Sequence, residues 1–124
     1  MEFFRIVKAK VQESDIQRTL TLSNLESMSN DIFVIGDQIK DKASIGGVWG
    51  EFTLTRSEIK GGLRFALAEC PNALCWTVTT GFPPDPNSIV IHLTINRLQK
   101  DSSFIEEVEE FLDDHKDCLL EIYS

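Results

Sequence analysis

The residues of this sequence that could do chemistry as a group are His92, Cys75, Thr77 and Thr79. They fall on the mixed polar face of two β-rich runs, where Cys75 lies diagonal to the histidine. A cysteine and a histidine act as nucleophile and base only when they are hydrogen-bonded and a third group orients the base. The pattern therefore favours a histidine hydrogen-bonded to strand threonines. It leaves open, as an alternative function, a catalytic or small-molecule-binding face around His92.

A second candidate site is the acidic block of residues 101–121, which holds nine acids and one base. Its net charge of −8 equals that of the whole chain, because the remainder has 11 acids and 11 bases. Carboxylates in a row on one convex helix face diverge into water, whereas a metal ion needs ligands that converge. We therefore expect a protein-binding surface, with no metal and no cofactor. Its predicted partner-binding acids are Glu106, Glu109, Glu110, Asp113 and Asp117.

The placement of the charge also indicates the class of partner. An acidic block repels phosphate backbones, and no basic stripe compensates for it, which argues against direct nucleic-acid binding. A basic protein is the natural partner, because opposite charges accelerate encounter. The leading hypothesis is a non-enzymatic inhibitor or immunity protein that neutralises a basic toxin such as a nuclease; a secretion-type chaperone is the alternative. An acidic surface that serves only solubility is the simpler explanation.

Composition and cysteine usage predict a single cytoplasmic domain spanning residues 1–124. The chain is 42 % hydrophobic and 26 % charged, which is typical of globular proteins, and it is long enough for one core. We expect neither a membrane span nor a signal peptide, since no apolar run is long enough for either role. Cys70, Cys75 and Cys118 lack the spacing of a disulfide framework and favour a reducing compartment.

The stretch Leu74–Asn96 predicts a β-hairpin around which the fold is built. Apolar residues occupy every second position from 89 to 95, and the same alternation runs from 74 to 78. Between these runs, Phe82–Ser88 contains three prolines and predicts a turn. If both apolar rows face one core, this pattern sets the register of the two strands.

The rest of the pattern predicts an α+β fold. We expect an antiparallel sheet of four to six strands covered on one face by one or two amphipathic helices. The clearest helix begins at the capping pattern Ser103-x-x-Glu106, near the C-terminus. The other segments are a strand in Met1–Val11, helix or irregular structure in Ser14–Asn30, a buried strand at Asp31–Gly36, a loop or hairpin turn at Gln38–Gly47 and a strand at Val48–Thr55.

Arg56–Glu69 has two interpretations. The capping pattern Thr55-x-x-Glu58 and an apolar face at helical spacing favour a helix, whereas Gly61 and Gly62 favour a hairpin turn. We take the helix as the prediction. The order β-β-α-β-β-α from Asp31 onward then resembles that of the small type III secretion chaperones, in element order alone.

The helical interpretation leads to a predicted homodimer. Phe65, Gly61 and Ala68 would form a second, outward face of the helix, and small residues beside a large ring let two backbones approach closely. Trp49 falls on the polar side of its predicted strand, and exposed tryptophans often anchor interfaces. We therefore expect Trp49 to take part in partner binding and the 56–69 helix to form the dimer interface.

Overall fold

The computed structural model describes residues 1–96 and 102–124, which form one antiparallel sheet of seven strands with helices. The α+β prediction is confirmed, whereas the predicted number of strands is too low. The strands are β1 (Glu2–Val7), β2 (Ile32–Ile39), β3 (Lys42–Gly47), β4 (Gly50–Ile59), β5 (Gly62–Leu67), β6 (Cys75–Thr80) and β7 (Ile89–Thr94). The helices are α1 (Glu13–Thr19), α2 (Leu25–Met28) and α3 (Ser102–Ile122), with a 3₁₀ turn at Leu22–Asn24. Across the sheet the order is β1-β7-β6-β5-β4-β3-β2.

The central hairpin is confirmed as β6 and β7, which pair antiparallel with Trp76 opposite Leu93 and Val78 opposite Ile91. All four of these side chains are buried, as the alternation predicts. The predicted N-terminal strand is also confirmed, because β1 pairs with β7 and forms one edge of the sheet. The hairpin thus lies next to the edge strand that the N-terminus contributes.

The helices cover one face of the sheet. Arg5 of β1 contacts α3 from this face, and Arg56 of β4 donates to the Gln17 carbonyl of α1 at 2.6 Å. The opposite face has no helix in the described part of the chain and carries a row of paired residues across five strands. That row is Phe4, His92, Thr77, Arg64 and Ser57. We call it the open face.

The helix predicted at Arg56–Glu69 is wrong, and the alternative hairpin is correct. β4 and β5 pair antiparallel, and the turn between them contains Gly61 at a φ of 90°. A Cβ on Gly62 would overlap the Val78 carbonyl of β6, so this position needs a residue without a side chain. Gly61 therefore allows the turn, and Gly62 allows β5 and β6 to approach closely.

The other edge of the sheet also differs from prediction. Gln38–Gly47, predicted as a loop or hairpin turn, contains the end of β2 and all of β3, with the turn between them. Asp31–Gly36, predicted as a buried strand, contains the first half of the exposed edge strand β2. The strands β2 to β7 come in succession, with no helix among them before α3. The predicted order β-β-α-β-β-α is therefore wrong, and with it the resemblance to the secretion chaperones.

The helix boundaries depart from the capping patterns by one or a few residues. Gln12 precedes α1, and its backbone N–H donates to the Asp15 carboxylate at 3.0 Å, so this helix begins one residue before the predicted segment Ser14–Asn30. Ser103 likewise lies inside α3. Asp101, the first acid of the predicted block, lies outside the described residues. Among the helices described, none has the length and apolar character to span a bilayer.

An aromatic cluster joins α3 to the sheet. Phe111 packs edge-on against Trp76 with ring centroids 5.1 Å apart, and Trp76 stacks on Phe65 at 5.3 Å. His115 stacks on Phe111 from the next turn of the helix and is 1 % exposed. Its Nδ1 lies 2.7 Å from the Met28 carbonyl, which can only accept, so Nδ1 carries the proton of the neutral ring. Burial holds the pKa of His115 below its usual range.

This lowered pKa predicts a loss of stability in mild acid. Below about pH 6.5 His115 is protonated in the unfolded chain, whereas in the folded chain it is protonated only at lower pH. The free energy of unfolding should therefore fall as pH decreases from about 6.5, by up to about 1.4 kcal/mol per pH unit. Urea titrations of wild type and His115→Gln at pH 7 and pH 5 measure the difference in pH slope that His115 causes. Equal pH slopes for the two proteins would contradict this role of His115.

A second prediction separates buried from exposed phenylalanines. Phe65 is 0 % exposed, so Phe65→Ala should lower the free energy of unfolding by about 3–5 kcal/mol through lost burial and a residual cavity. Phe33 is 53 % exposed on the edge strand, and Phe33→Ala should cost roughly 1 kcal/mol or less. Chemical denaturation of both variants tests the contrast. Similar losses would mean that Phe65 is not part of the core.

Candidate functional site

The outer surface of α3 is a row of carboxylates. Because helix positions three or four apart share a face, the exposed acids of α3 lie one above the other along its length. We call this row the acidic ridge, and its members are Glu106, Glu110, Asp113, Asp117 and Glu121. From Glu106 to Glu121 it runs for about 22 Å at the rise of an α-helix. Four of the five predicted partner-binding acids belong to it.

Some acids of α3 serve the fold instead. The Arg5 guanidinium lies 3.2 Å from the Glu109 carboxylate and 2.8 Å from that of Asp113, which ties α3 to the edge strand β1. Glu109 is only partly exposed and faces this arginine, so it lies beside the ridge. The predicted partner-binding role of Glu109 thus competes with an internal ion pair.

Asp114 connects α3 to α2. Its carboxylate accepts from the Ser29 hydroxyl, the Asn30 backbone N–H and the Asn30 side-chain amide, each at 2.8 Å. Burial alone would raise the pKa of Asp114, but these three hydrogen bonds outweigh it and lower the pKa. Asp31 lies nearby, and burial together with the charges of Asp114 and Glu110 raises its pKa.

Trp49 is half-buried and is not the exposed anchor that its position in the sequence suggested; its role in partner binding stays a prediction. It lies in the turn between β3 and β4, where its ring packs edge-on against Phe111 at 5.3 Å and contacts Phe104 at 6.3 Å. Both phenylalanines belong to α3, so this helix covers the indole ring. The exposed apolar residue of the same turn is Val48, at 50 %.

The predicted dimer interface is also wrong in its residues. Phe65 points into the core, Gly61 lies in the β4–β5 turn and Gly62 begins β5, so no outward helical face exists there. Ala68 is exposed beyond the end of β5. The period-two alternation of Leu63, Phe65 and Leu67 was the signal that favoured the strand. Homodimerisation itself remains a prediction, without this interface.

His92 lies on the open face, where its ring stacks on Phe4 with centroids 4.3 Å apart. Its Nε2 lies 2.9 Å from the Glu2 carboxylate, and Thr77 is its cross-strand partner. Cys75 is opposite Thr94, and its Sγ lies 3.2 Å from the threonine hydroxyl. The sulfur and the imidazole thus have separate partners.

Thr79 lies opposite Val90, two pairs along the ladder from His92. The predicted group therefore shares one face of the sheet, but Glu2, not a threonine, is the hydrogen-bond partner of His92. The hollows described on this protein are lined by other side chains. In the described ranges, no group of histidine, cysteine and carboxylate side chains is arranged to hold a metal ion.

Sequence reasoning missed the apolar surface of the edge strand β2. Phe33, Val34, Ile35 and Ile39 are 53, 37, 45 and 68 % exposed. The run of apolar residues without alternation is typical of a strand buried on both faces, which is why it was assigned to the core. Gly36 was the available signal of an irregular edge strand, and the register of β2 does shift between Val34 and Gln38.

A polar hollow of about 320 Å³ lies beside this edge, between α2 and α3. Glu26 and Glu121 line it with Ser27, Asn30 and Cys118. Glu26 also accepts a hydrogen bond from the Val34 backbone N–H at 3.0 Å. The acidic ridge, the hollow and the β2 edge therefore meet at Glu121 and Glu26.

Comparisons with known proteins establish the fold alone. The chain is similar to the crystal structure of an uncharacterized protein from Bacillus thuringiensis, with a TM-score of 0.63 and 10 % identity over 99 % of this chain and 97 % of that one. It is also similar to the protein XoxI from Bacillus cereus, with a TM-score of 0.59 and 7 % identity over 99 % and 94 % of the two chains. No family model and no curated protein matches the sequence.

Asp113 and Asp114 should contribute differently to the free energy of unfolding. Asp114→Asn leaves the donors of Ser29 and Asn30, just after α2, facing an amide, and we expect a loss of about 1–3 kcal/mol in the free energy of unfolding. Asp113→Asn, one residue earlier, breaks an exposed pair with Arg5 and should cost at most about 1 kcal/mol. Urea denaturation at pH 7 compares the two. A larger loss for Asp113→Asn would reverse the assignment.

Proposed function

We propose that this chain is a non-enzymatic protein-binding module whose acidic ridge binds a basic protein and neutralises it, in the manner of an inhibitor or immunity protein. The observation that carries the proposal is the exposure of five carboxylates in one row along α3. Of these, Glu106, Glu110, Asp117 and Glu121 have no ion pair with any described residue, so their charges are available to a partner.

The position of the charges supports binding over helix stability. Acids in the first turns of a helix interact favourably with its dipole, but acids in the last turns oppose it. Asp117 and Glu121 lie in the last two turns of α3, where lysine or arginine would stabilise the helix. These two acids therefore cost the helix some stability, and a partner offers a reason for their presence.

A row of carboxylates on a rigid helix has a direct use in inhibition. A protein that binds nucleic acid presents basic side chains to phosphates, and carboxylates at the same positions compete for them. α3 is held in place by the aromatic cluster, by Arg5 and by Asp114. The backbone of the ridge is therefore already ordered, and binding costs little backbone entropy. Opposite charges would also accelerate encounter at low salt.

The ridge can be tested by three amide substitutions, Glu106→Gln, Glu110→Gln and Asp117→Asn, in one variant. These side chains are exposed and without an ion pair to a described residue, so the fold should be retained. A partner captured by the immobilised wild type and identified by mass spectrometry should be basic. Its affinity for the triple variant should fall about tenfold or more at low salt, and the difference should shrink at high salt.

The control variant is Asp41→Asn, Glu51→Gln and Glu58→Gln, which changes the net charge by the same amount at exposed positions outside α3. It should bind the partner within about threefold of wild type, since net charge alone is a weak, long-range effect. Equal binding of wild type and ridge variant at low salt would refute the proposal. Equal losses of affinity in the two triple variants would mean that net charge, and not the position of the ridge, determines binding.

A further inference from the structure

We propose that β2 is a second docking element, which accepts an extended basic segment of the partner as an added strand at the sheet edge. The inference rests on the proposed function, because it assigns a binding mode to the same basic partner. Three observations carry it: the outward backbone of Val34, the exposed apolar side chains of β2 and the acidic surroundings of this edge.

The backbone of β2 is prepared to receive a strand. The Val34 N–H donates to the Glu26 carboxylate and not to β3, so it points away from the sheet. In an antiparallel ladder the N–H and C=O of one residue point to the same side, so the Val34 carbonyl is directed outward too. Val34 lies in the regular part of β2, where Ile32, Phe33 and Val34 pair with Gly47, Gly46 and Ile45. An incoming carbonyl can take the place that the Glu26 oxygen holds.

The side chains around this edge supply apolar contact area. Phe33 lies over Gly46 on the open face, where a Cβ on the glycine would overlap its ring. Ile39 pairs with Lys42 and is also exposed on this face, at 68 %. Exposed apolar edge strands can pair with strands of other chains, and native proteins otherwise cover or cap them. Strand addition with pockets for alternate side chains is an established mode of peptide recognition.

Charge decides between a basic partner and a second copy. Asp31 precedes the exposed residues of β2, Asp37 lies between Ile35 and Ile39, and Glu26 and Glu121 line the neighbouring hollow. Two copies of a chain with a net charge of −8 repel each other, and pairing β2 with itself would bring these acids together. A basic segment removes the repulsion and places cationic side chains among the carboxylates.

Glu26 couples the two parts of the site. While the edge is free, its carboxylate occupies the Val34 N–H and blocks pairing by other strands. When a partner strand takes that N–H, the carboxylate is released into the hollow with Glu121, where it meets a lysine or arginine of the incoming segment. The exchange replaces one hydrogen bond by another and adds a charge pair, which selects basic strands over neutral ones.

The test uses a fluorescent, end-blocked hexapeptide that alternates lysine and valine, with binding followed by anisotropy at low salt. Val34→Pro removes the outward N–H and is compatible with the fold, because proline is tolerated on an edge strand where the N–H faces away from the sheet. Val34→Ala, which keeps the N–H, is the matched control. We expect Val34→Pro to bind the peptide about tenfold more weakly than Val34→Ala.

A second comparison leaves the protein unchanged. The same hexapeptide N-methylated at alternate residues keeps its charge and side chains but cannot pair along one edge, and it should bind wild type about tenfold more weakly. A glutamate–valine hexapeptide should not bind measurably. Equal affinity of the methylated and unmethylated peptides, equal binding by Val34→Pro and Val34→Ala, or no binding to wild type would each overturn the proposal.

The ridge variant distinguishes this proposal from the proposed function. If the captured partner is lost by the ridge variant but binds Val34→Pro and Val34→Ala equally, the ridge proposal stands and the β2 proposal fails. If Val34→Pro alone loses the partner, β2 docks it and the ridge proposal fails. Sedimentation of the free protein tests the remaining occupant: a dimer that Val34→Pro dissociates would assign the β2 edge to a second copy and overturn the basic segment.

Discussion

Phe111 lies between two indole rings, Trp49 at 5.3 Å and Trp76 at 5.1 Å, and the rest of the structure depends on this packing. Trp76 belongs to the central hairpin, Trp49 to the β3–β4 turn and Phe111 to α3, so one contact joins the sheet to its longest helix. Aromatic side chains of this size bury large areas and contribute about 1.5–3 kcal/mol each. Because this contact sets the rotation of α3, it also decides which of its acids face water.

That rotation divides the acids of α3 into those that contact other elements and those that face solvent. Those that face β1 or α2 are engaged, Asp113 with Arg5 and Asp114 with Ser29 and Asn30. Asp113 also belongs to the acidic ridge, so it takes part in both an internal pair and the outer surface. The remaining ridge acids point to solvent. A binding surface built on a helix with so many internal ties needs little rearrangement when a partner arrives.

An open sheet of seven strands has two edges, and charged side chains satisfy one outward backbone group on each. At β1 the Arg5 guanidinium donates to the Phe4 carbonyl at 2.9 Å, and at β2 the Glu26 carboxylate accepts from the Val34 N–H. Such groups protect edges from pairing with other chains. The two edges still differ, because Arg5 is also held by two acids of α3, whereas Glu26 borders an open hollow.

By itself the sequence determined the features that depend on local period and charge: the β6–β7 hairpin, the amphipathic α3 and the concentration of negative charge on that helix. Period-two alternation and helical spacing are properties of neighbouring residues, so they can be read along the chain. The sequence did not decide Arg56–Glu69, because Gly61 is needed for a turn and Gly62 for the close approach of β6, and both needs arise only when the strands pair. It also misplaced Trp49 and the apolar run of β2. Whether such residues are covered depends on which element lies across them, and sheet order and helix placement are set by long-range packing that no local pattern contains.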